Sequence, residues 1–162
     1  MTRRSIVSLF CCVFAAGALT VAAGASKPGA SVNTDEEAEA RKSALDVAGA
    51  FSNDGFKTRD GNWTGLINSK APLLIQVHLY AGNQYWFTVG ASRKAKKLAV
   101  TVFDETGAQM QSDNYDDAGP SAEDEGPRAA AGFAPTVSGP YYVRIKETDG
   151  APASFSFIYS YK

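Results

Sequence analysis

Cysteine is almost absent from this chain of 162 residues. Its two cysteines, Cys11 and Cys12, lie in an apolar segment near the first residue, which we expect to be removed on export. The remaining domain would then have no cysteine, which excludes disulfides, thiol catalysis and cysteine-based zinc sites. A domain of roughly 135 residues has to rely on its apolar core, and that length suffices for one such domain.

The first residues have the pattern of a secretory signal peptide. Arg3 and Arg4 precede the apolar residues 6–23, which end in small residues of the kind found at cleavage sites. We therefore predict a signal peptide at 1–25 and a flexible linker at 26–33. A retained membrane anchor is the alternative, because about 18 apolar residues can just span a bilayer. Cleavage predicts a periplasmic or secreted protein without a membrane span.

The chain also lacks a strong excess of either positive or negative charge. The chain has 16 basic and 17 acidic residues, and the loss of Arg3 and Arg4 would take the 16 to 14, for a net charge of about −3. This balance is too mild to indicate nucleic acid or an anionic membrane as a partner. The single histidine, His78, has no second histidine beside it and is a poor catalytic or metal candidate.

One amphipathic helix is predicted over residues 34–55. Thr34 and Glu37 form a capping box, and Gly55 suits the left-handed conformation that ends many helices. We expect the apolar face to pack on the rest of the domain, and binding of a partner is the alternative. That face consists of Ala40, Ala44, Leu45, Val47, Ala48 and Phe51.

Residues 56–162 have the pattern of short strands separated by turns. Eight strands are predicted, at 63–68, 73–80, 84–90, 98–103, 108–112, 130–134, 141–146 and 154–161. No helical pattern interrupts them, which favours an antiparallel β-sandwich over a parallel sheet. Alternation predicts which residues point inward: Ile75, Val77, Leu79, Tyr85, Phe87, Val89, Leu98, Val100, Val102, Tyr141, Val143, Ile145, Phe155, Phe157 and Tyr159.

Acidic residues are concentrated at 113–128, which we predict to be one long loop. Carboxylate oxygens that lie close together can bind calcium. Asp104, Asp113 and Asp116, if they lie on adjacent strands, are the best candidates for a calcium site. The EF-hand spacing is absent, so a solvated loop is the alternative.

Five aromatic residues fall out of phase with the predicted core or in loops, namely Trp63, Tyr80, Trp86, Tyr115 and Tyr142. Trp63, Trp86 and Tyr142 are candidates for a surface that stacks on sugars or anchors a protein partner. The alternative is that they fill the second side of a sheet or lie under the helix. The basic turn that contains Arg93 and Lys94 is either an anion contact or a charged hairpin that keeps a sheet edge soluble.

Three short motifs carry a family resemblance. AGNQY at 81–85 precedes a strand, DETG at 104–107 follows one, and SGPYYV at 138–143 leads through a glycine turn into another. In order and spacing they resemble bacterial pre-peptidase C-terminal (PPC-type) domains over residues 61–161. The resemblance implies a jelly-roll-like β-sandwich that serves secreted enzymes as a binding, targeting or maturation module, here without a catalytic domain.

The expected protein is therefore a jelly-roll-like sandwich of about eight strands, preceded by a helix. We expect an exported, non-catalytic module with a binding or accessory role, whose partner is a protein or polysaccharide of the cell envelope. One alternative is a secreted carbohydrate-active or other hydrolase, which needs paired carboxylates about 5–10 Å apart. Another is a calcium-binding accessory subunit of a secreted enzyme.

Overall fold

The computed structural model describes residues 34–61, 63–117 and 125–162 and, of residues 116 and 117, the backbone alone. The predicted signal peptide and linker lie outside these ranges. Within them, no helix is long and apolar enough to cross a membrane. The elements are α1 (Thr34–Asn53), β1 (Lys57–Thr58), β2 (Trp63–Ile67), β3 (Leu73–Leu79), β4 (Tyr85–Ala91), β5 (Ala95–Phe103), β6 (Asp113–Asp117), β7 (Arg128–Phe133), β8 (Gly139–Gly150) and β9 (Ala153–Tyr161).

The strands form two antiparallel sheets. The large sheet has six strands in the order β1-β9-β4-β7-β6, with β2 also paired to β9. The small sheet has three strands in the order β3-β8-β5. Apolar residues of both sheets form one cluster between them. The prediction of a β-sandwich-like fold with one N-terminal helix is confirmed.

Alternation along the strands locates the core correctly. All fifteen residues expected to point inward are buried and belong to the cluster between the sheets. Phe87 and Phe157 stack within it, with ring centroids 6.2 Å apart. Removal of this apolar surface from water is the main source of stability for a domain without cysteine.

Helix α1 covers the outer face of the large sheet. It begins at Thr34, as predicted, and Gly55 follows its end at φ +88°. Its buried residues are Ala40, Ser43, Ala44, Val47 and Ala48. Leu45, which was expected on the packing face, is 46% exposed. The expectation for Leu45 is wrong because this residue lies about 100° around the helix from Ala44.

A glycine permits the close approach of α1 to β4. A Cβ at Gly90 would stand 2.6 Å from the Ala40 carbonyl oxygen and 2.8 Å from the Ser43 Cβ, and it would collide with the Ala44 amide nitrogen. Real Cβ atoms essentially never approach other atoms so closely. The helix backbone therefore rests directly on the strand.

The basic turn after β4 connects the large sheet to the first turns of α1. Arg93 Nε lies 2.8 Å from the Glu39 carboxylate, and Lys94 Nζ lies 2.6 Å from the Glu36 carboxylate. The Glu39 carboxylate also accepts a hydrogen bond of 3.3 Å from the Arg93 amide. Two basic side chains of this turn thus pair with the helix.

One predicted strand is absent, and a segment predicted as loop contains a strand instead. Residues 108–112 form no strand, and a single bridge joins Gln109 to Phe103. The acidic segment Asp113–Asp117 is β6, which pairs with β7 at an edge of the large sheet. An edge strand tolerates acidic residues because its unpaired edge is open to water. Strand β8 also extends to Gly150, beyond its predicted end.

Candidate functional site

A cleft opens where β2 and β3 separate. A bridge between Asn68 and Ala71 closes the turn that joins them. The Asn68 side-chain oxygen accepts hydrogen bonds from the amides of Lys70 at 3.0 Å and Ala71 at 3.2 Å. Beyond this turn, β2 pairs with β9 in the large sheet and β3 pairs with β8 in the small sheet. The two strands therefore start as a hairpin and diverge into different sheets.

Two hollows lie along the gap between the diverging strands, and both are lined by Trp63 and Gln76. The hollow nearer the turn has a volume of about 420 Å³ and is also lined by Leu73 and Phe155. The second has a volume of about 320 Å³. Volumes of this size are typical of ligand sites. We call the two hollows together the Trp63 cleft.

The indole of Trp63 is held firmly although 40% of the residue is exposed. Trp63 lies opposite Phe157 in the β2–β9 pairing. Its ring meets Phe157 edge-on at a centroid distance of 5.3 Å and stacks near Tyr159 at 6.0 Å. Because these partners belong to the core, the exposed part of the indole is presented in a fixed orientation.

Polar side chains surround the indole in the second hollow. The Arg59 guanidinium lies 5.4 Å from the centroid of the Tyr159 ring, and the Arg59 amide donates to the Tyr159 carbonyl at 3.0 Å. Burial raises the pKa of the Tyr159 hydroxyl, while Arg59 acts in the opposite direction. This hydroxyl is therefore neutral at pH 7. Asp60, Gln76 and His78 add a carboxylate, a carboxamide and an imidazole to the lining.

Sequence reasoning identified part of this cleft. It singled out Trp63, and it named His78 as a poor catalytic or metal candidate; the structure has His78 exposed on β3. It did not single out Arg59, Asp60 or Gln76. The available signal was the alternation of β3, which puts Gln76 and His78 on the same side. The missing information was that β2 and β3 enter different sheets.

Trp86 lies under the helix. Its ring stacks on Phe51 of α1 with centroids 4.0 Å apart and planes 8° apart. On the same face of the sheet lies Gly132, where a Cβ would stand 2.9 Å from the Trp86 ring. Trp86 therefore joins α1 to the outer face of the large sheet, whereas Trp63 contacts Phe157 of the core.

Tyr142 lies on a third surface, the outer face of the small sheet. In the strand pairing it is flanked by Gln76 of β3 and Phe103 of β5. It lines a groove of about 440 Å³ to which Asp104 also contributes. The structure thus brings Tyr142 and Asp104 together, whereas Trp63, Trp86 and Tyr142 do not share one face.

The three predicted calcium ligands are divided between the sheets. Asp104 follows β5 of the small sheet, whereas Asp113 and Asp116 belong to β6 of the large sheet, so the expected placement on adjacent strands is not found. Asp104 Oδ1 accepts hydrogen bonds from the Thr106 hydroxyl at 2.7 Å and from the amides of Thr106 and Ala108 at 2.9 Å. These bonds lower the pKa of Asp104.

The described ranges contain no group of three His, Cys, Asp or Glu side chains placed to hold a metal ion. The side chain of Asp116 lies outside the described part of the structure. Calcium binding by Asp104, Asp113 and Asp116 therefore stays a prediction.

Comparison with known proteins assigns no family. No protein-family model matches the chain, and no curated protein is significantly similar to it. The resemblance to PPC-type domains therefore rests on the three motifs and stays a prediction.

Proposed function

We propose that this protein is an exported, non-catalytic binding module that holds a carbohydrate chain in the Trp63 cleft. The observation that carries this proposal is the half-exposed indole of Trp63, fixed by two core aromatics and surrounded by hydrogen-bonding groups. A pyranose ring needs both features, because it has an apolar C–H face and a polar rim of hydroxyls.

The chemistry of the cleft suits both parts of a sugar. The negative face of an indole attracts the weakly positive C–H groups of a pyranose, and their contact also buries apolar surface. Arg59 supplies donors, Asp60 supplies acceptors, and Gln76 supplies both. Groups of this kind fix the orientation of a ligand in a cleft.

The arrangement of the two hollows favours a chain over a single sugar. They adjoin at Trp63 and Gln76, so a ligand that fills both would pass the indole and reach the Asn68 turn. The lining of the hollow near this turn includes the apolar residues Leu73, Ile75 and Phe155. We infer that it accepts the less polar face of a second sugar unit.

Export is part of the same proposal. The signal-peptide pattern at 1–25 supports a location in the periplasm or outside the cell, where a polysaccharide of the envelope is an accessible partner. The motifs that resemble PPC-type domains support a jelly-roll topology and an accessory role.

Intrinsic fluorescence tests the proposal. The chain has two tryptophans, so Trp86→Phe leaves Trp63 as the single indole while a ring still packs on Phe51. We expect soluble β-glucan, chitin or peptidoglycan oligosaccharides to change the Trp63 emission in a saturable way. Isothermal titration of the unaltered protein then supplies the Kd. An unchanged emission with all three classes would count against the proposal.

Variants locate the binding on the chain. We expect Trp63→Ala to abolish binding and Gln76→Ala to weaken it about fivefold, because a hydrogen bond contributes about 1 kcal/mol. Tyr115→Ala is the matched control, since Tyr115 is an aromatic residue of equal exposure (41%) on β6. The same loss of affinity with Tyr115→Ala would contradict the assignment, and release of reducing ends would contradict a non-catalytic role.

A further inference from the structure

The outer face of the small sheet bears a second candidate surface beside the Trp63 cleft, with which it shares Leu74. The strand pairing places Leu74, Arg144 and Thr101 side by side, next to the row that contains Tyr142 and Phe103. A groove of about 440 Å³ is lined by four of these residues together with the turn at 104–107. We call it the Arg144 groove.

Arg144 is held in one orientation within this groove. Its Nε donates to the Thr101 hydroxyl at 3.1 Å, and its guanidinium lies 4.6 Å from the centroid of the Phe103 ring. Within the described ranges no carboxylate pairs with Arg144. The two terminal nitrogens therefore keep donors in the fork geometry that binds a carboxylate through two hydrogen bonds.

The next residue on the same side of β8 as Arg144, Lys146, is also basic. The exposed acidic residue of β8, Asp149, lies farther along the strand and is paired in register with Lys97. Asp104 and Glu105 lie in the turn at one end of the groove, and Asp104 is already engaged by its own turn. A bound carboxylate is thus attracted to Arg144 and repelled from the turn.

The apolar part of the groove favours a polypeptide over a sugar. The most exposed apolar side chain is aliphatic, Leu74, of which 58% is accessible, whereas Tyr142 is half-buried. The Arg144 guanidinium lies over one face of the Phe103 ring. An aliphatic surface beside a cation matches a chain that alternates apolar and acidic side chains.

We propose that the Arg144 groove binds an acidic segment of another polypeptide. A carboxylate of the segment pairs with Arg144, and a neighbouring apolar side chain packs on Leu74 and Tyr142. The two sites are neighbours, because Leu74 lines both the Arg144 groove and the hollow of the Trp63 cleft nearer the Asn68 turn.

Fluorescence anisotropy with labelled peptides tests the inference on the full domain. A peptide of alternating glutamate and leucine is expected to bind at least about tenfold more tightly than the same peptide with glutamine in place of glutamate. Arg144→Gln is expected to weaken the glutamate peptide about tenfold, since a bidentate charged pair is lost. Arg41→Gln, which removes the same charge from an exposed position on α1, is expected to leave the affinity unchanged.

Two further variants keep the test decisive if Arg144→Gln affects folding. Leu74→Glu changes an exposed residue and is expected to reduce binding about tenfold through charge repulsion and the lost apolar contact. Arg144→Lys keeps the charge but loses the fork, so we expect an intermediate affinity. Equal losses with Arg41→Gln and Arg144→Gln would overturn the inference. Binding of polygalacturonate through Arg144, without binding of the peptide, would also overturn it.

Discussion

The outer faces of the two sheets differ in what covers them. Helix α1 lies on the large sheet, and β9 is buried on both sides from Ala153 to Ser160. Within the described ranges, no element covers the outer face of the small sheet, where β3 alternates between buried and exposed residues and Leu74 is 58% exposed. The large sheet is therefore buried on both faces at β9, whereas the outer face of the small sheet is exposed.

This difference explains the choice of residues on each face. The side of the large sheet toward α1 has small residues such as Gly90, Ser154 and Ser156, which allow the helix to come close. The open side of the small sheet has Tyr142, Arg144 and Lys146, which have room to meet a partner. Gly90 thus permits the backbone contact with α1, while the large ring of Trp86 packs on Phe51 of the helix.

The largest expected effect comes from placing one methyl group under the helix. Gly90→Ala should destabilise the domain by about 3 kcal/mol, because the new Cβ collides with the backbone of α1. Gly139→Ala, on β8 of the small sheet, is the matched control, since a Cβ there meets nothing within 4 Å. Urea denaturation measures both changes. Equal stability of the two variants would remove the contrast between the faces.

A smaller difference is expected between two aromatic residues. Trp86→Ala should cost about 2–3 kcal/mol, because the ring that stacks on Phe51 is lost. Tyr142→Ala should cost about 1 kcal/mol or less, because Tyr142 lies on the open face. Thermal unfolding of the two variants provides the comparison. A larger loss with Tyr142→Ala would indicate that the open face contributes to stability after all.

The smallest expected effect is a gain in stability within the small sheet. Glu147 on β8 is fully buried, and neither carboxylate oxygen has a hydrogen-bond partner among the described residues. Burial, with a further contribution from the charge of Asp149, raises the pKa of Glu147 above its usual 4.5. Ionisation is therefore more costly in the folded state than in the unfolded state.

The sign of the pH dependence follows from the raised pKa of Glu147. Below pH 4.5 the carboxyl is neutral in both states, so stability is undiminished, and it falls as the pH rises through the raised pKa. Glu147→Gln should remove this loss, with a gain of about 1 kcal/mol at pH 8, because a neutral amide is less costly to bury than a carboxylate. Melting curves between pH 4 and pH 8 measure the difference. A gain of equal size at pH 4 would show that charge is not its cause.

Local pattern predicted most of the core. Alternation identified Phe87, Val143 and Phe157 as inward residues because successive side chains of a strand point to opposite faces whichever strands it pairs with. The capping box at Thr34 identified the start of α1 for a similar reason, since the hydrogen bonds involved are local.

Pairing between distant segments could not be predicted in this way. Residues 113–117 have poor strand propensity, and they form β6 because β7 offers a free edge. Trp86 lies under α1 because of Phe51, a residue of another element. The Trp63 cleft exists because β2 and β3 join different sheets, and nothing in either strand alone determines that choice.

The split hairpin at Asn68 has a mechanical consequence for the whole domain. Its two strands belong to different sheets, so a ligand bound between them would contact both sheets at the open edge of the sandwich. Pulling the sheets apart would then also require its release. At a concentration of 100 times its Kd, such a ligand would add about 2.7 kcal/mol to the free energy of unfolding. Ligand binding in the cleft would thus raise the unfolding temperature of the whole domain, including residues far from the cleft.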